Sequence, residues 1–265
     1  MVILAEAKPV IIETTIEQQF KINADSLKQA ITDKTRMLVI NSPSNPSGVA
    51  YSKKELESIA EVLLDHPDIL VVTDDMYEHI IWNDEGFSNI LNACSDLYGR
   101  CMVLNGVSKA YAMTGWRIGY AAGPEDIIKA MKKIQSQSTS NPCSISQAAA
   151  IAALDGDQSC IHTMLSAFKE RHDFVVDSVN TTPNMSCTPS DGTFYSFVNI
   201  QPFIDSRSDL SSDVEVANLL LDKVGVALVP GSAFGSPGHM RLSFATSMQN
   251  LQSAMERINQ VFSEK

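Results

Sequence analysis

The sequence NGVSKAYAMTGWRIGY, residues 105–120, connects two apolar runs at residues 101–104 and 118–122. Both runs have the length and composition of buried strands, so Lys109 and Arg117 share one connection between core strands. A neutral lysine amine forms an imine with a carbonyl, and a planar guanidinium binds phosphate through two prongs. The connection therefore predicts a site for a cofactor that carries a carbonyl and a phosphate. The alternative is that Lys109 is a solvated surface charge, as most loop lysines are.

Outward from this connection, the sequence predicts alternating strands and helices. Residues 36–41 and 69–73 are apolar runs typical of buried strands. Between them Ser52 and Glu55 form the S-x-x-E capping box that begins a helix. A strand-helix-strand unit implies parallel pairing with a right-handed crossover. The β-branched residues at 9–14 indicate one further strand.

The pattern changes after residues 155–157, Asp-Gly-Asp, where we expect a domain boundary. The sequence predicts a large α/β domain at 1–155 and a smaller α+β domain with its linking helix at 156–265. In the second part we expect a long helix to about residue 179, strands at 194–200, 226–229 and 240–245, and helices from Ser212 and Ser247.

Composition excludes several classes of protein. A net charge of -11 argues against a nucleic-acid or acidic-membrane partner. No apolar run is long enough to span a membrane. The five cysteines form no C-x-x-C pair and the histidines show no ligand spacing, so neither a disulfide framework nor a metal site is expected. Reduced thiols favour a cytoplasmic protein.

Two further polar groups follow predicted strands. Asp74 comes after the run at 69–72, and the turn sequence NSPSNPSG occupies residues 41–48. Ligands of open α/β sheets bind outside the carboxyl ends of the strands, the edge at which Lys109 is also expected. Asp74 is either a partner for a cationic ring nitrogen or simply a helix cap or surface acid. The turn at 41–48 is either part of the same site or only a tight turn.

Arg241 lies among apolar residues in the predicted strand at 240–245. Such an arginine is either an edge residue whose charge reaches solvent or a buried clamp for an anion. Tyr77, about one helical turn beyond Asp74, is either part of the site or a core aromatic.

Four segments together resemble a known family: SNPSG at 44–48, TDDMYEH at 73–79, SKAYAMTGWRIGY at 108–120 and RLSFATS at 241–247. In order and spacing they resemble the class I/II aminotransferases of fold type I, and are most similar to the bacterial aspartate aminotransferase branch. The resemblance implies an α/β fold with a mostly parallel sheet in the large domain and a smaller α+β C-terminal domain. It also implies pyridoxal 5′-phosphate as the cofactor.

By the same resemblance, Lys109 matches the catalytic lysine that binds the cofactor covalently and later moves the proton. Asp74 matches the acid that pairs with the pyridinium nitrogen, and Tyr77 matches the tyrosine at the cofactor's phenolic oxygen. Asn45 matches the asparagine that contacts this oxygen and the substrate. Arg241 matches the arginine that holds the substrate α-carboxylate.

The phosphate end departs from part of the family. Arg117 matches the phosphate arginine, but Gly106 occupies a position where some branches have a phosphate-binding serine. Ser108 is a weaker candidate for that contact. The resemblance also implies that an N-terminal segment of the family lies before the counterpart of Met1. Without it we expect a weakly folded or aggregated chain that binds the cofactor poorly.

The expected activity is transamination between an amino acid and a 2-oxo acid, with aspartate and 2-oxoglutarate implied by resemblance. The family also implies a homodimer. Two alternatives stay open: a lyase or decarboxylase that uses the same cofactor, and a non-catalytic chain, either an inert fragment or a ligand-sensing module.

Overall fold

Four strands in the first half of the chain form a mostly parallel sheet. In the computed structural model, which describes residues 1–264, they lie in the order β1-β2-β3-β4. The first three strands are parallel, and β4 runs antiparallel to β3. The predicted parallel strand-helix-strand unit is therefore confirmed. The bounds are β1 Met37–Asn41, β2 Leu70–Asp74, β3 Cys101–Gly106 and β4 Gly119–Ala122.

Three strands in the second half form a separate antiparallel sheet in the order β5-β7-β6. A mixed sheet with helices followed by an antiparallel sheet with helices agrees with the expected α/β and α+β parts. The boundary between residues 155 and 156 stays a prediction. The bounds are β5 Tyr195–Asn199, β6 Val229–Pro230 and β7 His239–Ser243.

The helices begin at the caps that the sequence indicates. Ser52 accepts the Glu55 N–H while the Glu55 carboxylate accepts the Ser52 N–H at 2.7 Å, so the capping box is confirmed. No helix within residues 1–264 is long and apolar enough to cross a membrane. The helices are α1 Ala24–Ala30, α2 Lys53–Leu64, α3 Ile90–Ala93, α4 Glu125–Ser138, α5 Ser144–Asp155, α6 Ser159–Thr181, α7 Gln201–Asp205, α8 Asp213–Val224 and α9 Met248–Phe262.

Two apolar cores form around the two sheets. One joins β1 and β2 to α2 and α3. The other joins β5 and β7 to α6, α8 and α9, and it also takes in Tyr77 and Ile80 from the segment after β2. Because this segment packs into the second core, the residues that follow β2 are fixed between the two sheets.

A backbone junction holds the turn after β1 against the segment that leads into β5. The Asp191 and Gly192 N–H groups donate to the Gly48 carbonyl at 3.0 and 2.9 Å. The Asp191 carboxylate accepts the Ala50 N–H at 2.8 Å. Gly48 has φ +73°, and a Cβ on it would lie 2.6 Å from the Ser190 Cβ. Only glycine meets both conditions without strain.

The strand predicted at residues 9–14 is wrong. This segment has no regular secondary structure, and the side chains of Val10 and Ile11 are exposed. β-branched composition favours a strand only where a neighbouring strand supplies hydrogen bonds. Within residues 1–264 no strand pairs with this segment.

Candidate active site

The carboxyl ends of β1, β2 and β3 meet at one edge of the first sheet. Asn41 is aligned with Asp74, and Asp74 with Leu104. The Asn41 amide donates to the Asp74 carbonyl at 3.0 Å, and its oxygen accepts the Asn45 N–H at 2.8 Å. One side chain therefore ties the turn after β1 to the end of β2, and it places Asn45 at this edge.

Two adjacent carboxylates follow β2 in different environments. Asp75 is buried and accepts hydrogen bonds from the Thr73 hydroxyl and, at 2.7 Å, from the Asn89 amide. Burial raises the pKa of Asp75. Asp74 is half-buried, and its carboxylate accepts only the Met76 N–H, at 3.2 Å, among the described residues. Asp75 is thus committed to the fold, whereas most of the acceptor capacity of Asp74 is free for a ligand.

Lys109 lies beyond the end of β3 with its amine against two aromatic rings. Nζ is 5.8 Å from the centre of the Tyr77 ring and 5.7 Å from that of Phe194. Across the described part of the chain no carboxylate lies within ion-pair distance of this amine. The amine is therefore half-buried, in contact with aromatic rings and without an anionic partner among residues 1–264.

Tyr77 and Tyr195 form a buried pair of phenols whose oxygens are 3.3 Å apart. Burial, followed by the hydrogen bond with Tyr195, raises the pKa of Tyr77 above its usual range. The Tyr77 hydroxyl is therefore protonated at neutral pH and can act as a hydrogen-bond donor.

Arg241 contacts Asn45 although 196 positions separate them in the chain. Its Nη1 donates to the Asn45 side-chain oxygen at 2.8 Å. The guanidinium carbon is 4.4 Å from the centre of the Tyr195 ring and 4.9 Å from that of Phe234. Its Nε is buried without a partner among residues 1–264. A guanidinium fixed between two rings with donors unused is suited to a carboxylate.

Neither of the two predicted phosphate contacts forms a hydrogen bond with these groups within residues 1–264. Arg117 is exposed, has φ 51°, and donates from Nη1 to the Thr114 carbonyl at 2.9 Å. Ser108 is half-buried, and its hydroxyl makes no hydrogen bond within the part of the chain described. The phosphate roles of Arg117 and Ser108 stay predictions.

The sequence did not single out Phe194, Tyr195 or Phe234, which line the site from the second half of the chain. Phe194 and Tyr195 lie within the strand predicted at 194–200, where aromatic residues are typical of any half-buried strand. Only the approach of the second sheet to the end of β2 gives them contacts with Lys109 and Tyr77. No cluster of three or more potential metal ligands occurs in residues 1–264.

Comparison with known proteins places nearly the whole chain in one family. The family model described as aminotransferase class I and II matches residues 1–258. An aspartate/prephenate aminotransferase from Nitrosomonas europaea is 57% identical over 268 aligned residues, which cover 99% of this chain and 68% of the relative. One from Cereibacter sphaeroides is 45% identical, with 97% and 66% covered.

Solved structures of aminotransferases also match this chain. The aspartate aminotransferase from Rhizobium meliloti superimposes with a TM-score of 0.93 at 43% identity, covering 98% of this chain and 66% of that one. The aromatic aminotransferase from Pyrococcus horikoshii gives 0.91 at 38% identity, covering 98% and 68%. The chain thus spans about two thirds of the length of the relatives it matches. It belongs to the class I and II aminotransferase family, whose members have fold type I and use pyridoxal 5′-phosphate.

Proposed function

We propose that this chain catalyses transamination between an amino acid and a 2-oxo acid with pyridoxal 5′-phosphate. The observation that carries the proposal is the contact between Arg241 and Asn45. It brings a cation suited to a substrate carboxylate from the second sheet to the edge of the first sheet. Asp74 and Lys109 follow neighbouring strands at the same edge.

The names of the relatives support aspartate as the amino donor, while 2-oxoglutarate as the acceptor rests on the resemblance to the family. The curated relatives are named aspartate/prephenate aminotransferase or aspartate aminotransferase. One solved relative from Thermus thermophilus is described with maleate, a dicarboxylate. A dicarboxylic substrate would place one carboxylate on Arg241.

Several groups fit the cofactor. Asp74 has acceptor capacity to spare for a protonated ring nitrogen, and the Tyr77 hydroxyl can donate to the phenolic oxygen. The Lys109 amine, half-buried and without an anionic partner among residues 1–264, would hold the cofactor's aldehyde carbon. Arg117 and Ser108 would hold the phosphate. When bound, the cofactor supplies an electron sink for the negative charge that develops at the substrate Cα.

The side chains of this protein would then share the work of orientation and proton transfer. The Lys109 amine would take and return the proton at the substrate Cα. Arg241 would fix the substrate by its α-carboxylate so that the Cα–H faces this amine. Asn45 would hold the Arg241 guanidinium in place, and the rings of Tyr77 and Phe194 would exclude water from the amine.

Two measurements test the proposal. Borohydride reduction of the protein with pyridoxal phosphate, followed by peptide mapping, is expected to find the adduct on Lys109 and to lose it in Lys109→Arg. Exposed Lys129, changed to Arg, is the control and is expected to keep the adduct. Transfer of ¹⁵N from labelled aspartate to 2-oxoglutarate tests the reaction. Release of CO₂ or ammonia without formation of glutamate would instead favour the lyase or decarboxylase alternative.

We further propose that the enzyme is a cytoplasmic homodimer. The dimer rests on the resemblance to the family. The cytoplasm is supported by five cysteines that are all free thiols in the described structure. Sedimentation equilibrium with pyridoxal phosphate present tests the dimer, and a mass of one chain at micromolar concentration would contradict it.

A further inference from the structure

Tyr195 contacts two groups to which the proposed function gives different partners, Tyr77 to the cofactor and Arg241 to the substrate. Its hydroxyl is 3.3 Å from that of Tyr77, and its ring lies 4.4 Å from the guanidinium carbon of Arg241. The side chain is 7% exposed. It is therefore the shared neighbour of the cofactor-facing phenol and the carboxylate-binding cation.

Strand register explains the second contact. Tyr195 is aligned with Ser243, and Phe197 with Arg241, in the antiparallel pair β5–β7. Tyr195 and Arg241 are thus diagonal neighbours on one face of the sheet, within reach of long side chains. The backbone of Tyr195 is also fixed on its N-terminal side, because its N–H donates to the Thr193 hydroxyl at 3.1 Å.

Counting hydrogens explains the first contact. Each phenol has one hydrogen to donate, so the pair uses one and leaves one over. If Tyr77 donated to Tyr195, the Tyr195 hydrogen would be buried with no acceptor among residues 1–264. If Tyr195 donates instead, the Tyr77 hydrogen is the one that has no acceptor among residues 1–264, and it is free for a ligand oxygen. The second arrangement is the one that a ligand oxygen at Tyr77 requires.

The ring of Tyr195 restrains Arg241 in a different way. Tyr195 and Phe234 hold the guanidinium between them, and the Asn45 side-chain oxygen accepts a hydrogen bond from its Nη1. Aromatic faces attract a guanidinium without using its N–H donors. The guanidinium nitrogen Nη2 makes no hydrogen bond among residues 1–264, so it stays available for a carboxylate.

We propose that Tyr195 is a positioning residue that serves both ends of the site: its hydroxyl orients the Tyr77 hydroxyl, and its ring holds the Arg241 guanidinium. The proposal deepens the proposed function and rests on it. Because the two roles belong to different atoms, Tyr195→Phe removes only the first and Tyr195→Leu removes both. Tyr98→Phe, at an exposed tyrosine, is the control.

The first test needs no ligand. In protein labelled with ¹⁵N-arginine, with the signal assigned through Arg241→Lys, the Arg241 Nε–H resonance reports the ring current of Tyr195. We expect Tyr195→Phe to keep this resonance within a narrow range and Tyr195→Leu to shift it. With ¹³Cζ-tyrosine, assigned through Tyr77→Phe, the Tyr77 signal is expected to shift in both variants. Resonances that stay unchanged in both variants would overturn the proposal.

The second test measures ligand binding by calorimetry. We expect Tyr195→Leu to raise the Kd for maleate by about threefold to thirtyfold and Tyr195→Phe to leave it within about threefold, because only the first loses the aromatic face. Both are expected to weaken the binding of pyridoxal phosphate to the apo protein. In turnover, Tyr195→Phe is expected to lower kcat with little change in KM, while Tyr195→Leu also raises KM for the amino acid.

The outcomes separate this inference from the function on which it rests. If the wild type binds neither pyridoxal phosphate nor maleate, the proposed function and the role of Tyr195 both fail. If the wild type binds both and the two variants match it, only the role of Tyr195 fails. If Tyr195→Leu does not fold, Tyr195→Met takes its place, since a flexible apolar side chain fills the space without an aromatic face.

Discussion

At the scale of single residues, neighbouring side chains of one type do different work. Asp74 and Asp75 are adjacent in sequence, yet Asp75 is buried among protein donors, whereas Asp74 keeps free acceptor capacity. Asp74 is the last residue of β2, and Asp75 is the first residue after the strand, where the backbone turns. The contrast between them gives a paired prediction.

Asp74→Ala is expected to reduce turnover at least a hundredfold, about 3 kcal/mol in the barrier, with little change in melting temperature. Asp75→Ala is expected to destabilise the protein by about 1–3 kcal/mol, because the buried Thr73 hydroxyl and the half-buried Asn89 amide lose their acceptor. Urea unfolding and steady-state kinetics on both variants measure the two effects. Equal losses of stability with equal losses of activity would contradict the division of roles.

The sequence identified those site residues that lie in distinctive motifs, but not those whose role depends on register. Lys109 and Arg241 stand out as charges next to apolar strands. Tyr195 does not, since an aromatic residue in a strand is ordinary. Its significance depends on the pairing of β5 with β7 and on the approach of the second sheet to Tyr77. Neither is encoded in local spacing.

At the scale of elements, the junction between Gly48 and residues 190–193 connects the two sheets near the site. Gly48→Ala would combine a strained backbone with a clash, since φ is +73° and Ser190 lies at 2.6 Å. Gly86 is a matched control, because its φ is +70° but nothing lies within 4 Å of a Cβ there. We expect Gly48→Ala to be less stable than Gly86→Ala by about 1–3 kcal/mol in urea unfolding. Equal stability of the two variants would contradict this expectation and show that the backbone at the junction can move to accept the added methyl group.

His172 on α6 holds the same junction from the other side. Its Nε2 accepts the Ser190 N–H at 3.0 Å, so Nδ1 carries the hydrogen and faces Asp173 at 2.9 Å. Burial lowers the pKa of His172 below its usual 6.5, although Asp173 acts in the opposite direction. Below pH 6.5 the unfolded chain therefore binds more protons at this position than the folded chain does.

The stabilisation from neutral His172 is thus fully present above pH 6.5 and is lost as the pH falls from there through the folded pKa. We expect the free energy of unfolding to decrease between pH 7.5 and 5.5, and His172→Gln, which can still accept the Ser190 N–H, to show a smaller decrease. Urea titrations at the two pH values measure the difference. A slope that is the same in both proteins would exclude His172 as its source.

The sequence predicted correctly those helices and strands whose sequence signal and whose packing partner both lie nearby in the chain. The capping box at Ser52, the strands β1 to β3 and the helices α2 and α6 lie close to the expected positions. The limit is visible in the segment 9–14 and in α4, where apolar residues recur at helical spacing at positions 127, 128, 131 and 134. An apolar pattern reports a preference for burial, whereas burial itself depends on a partner. Within the described chain α4 has no buried residue, and Ile134 is 71% exposed.

At the scale of the whole molecule, the exposed area is larger than expected. The described structure exposes 14711 Å². A compact monomer of 28.9 kDa exposes about 11,400 Å² by the usual scaling with mass. Part of the excess is apolar, on α4 and α5 at Ile134, Ile145 and Ile151, and on one face of β1 at Met37 and Val39. Exposed apolar surface of this kind, with an open strand edge beside it, favours association.

We therefore predict that the 265-residue chain in isolation self-associates, and that substitutions on this surface change its behaviour selectively. Ile134→Glu and Ile151→Glu are expected to lower the associated fraction in sedimentation velocity at micromolar concentration. Leu221→Glu, at an exposed apolar position on α8, is the control and is expected to change it little. Because Ile134 and Ile151 are already exposed, neither substitution should lower stability by more than about 0.5 kcal/mol. A wild-type chain that sediments as a single species with the mass of one chain at micromolar concentration would contradict the prediction. In that case the extra area would be compatible with a stable monomer.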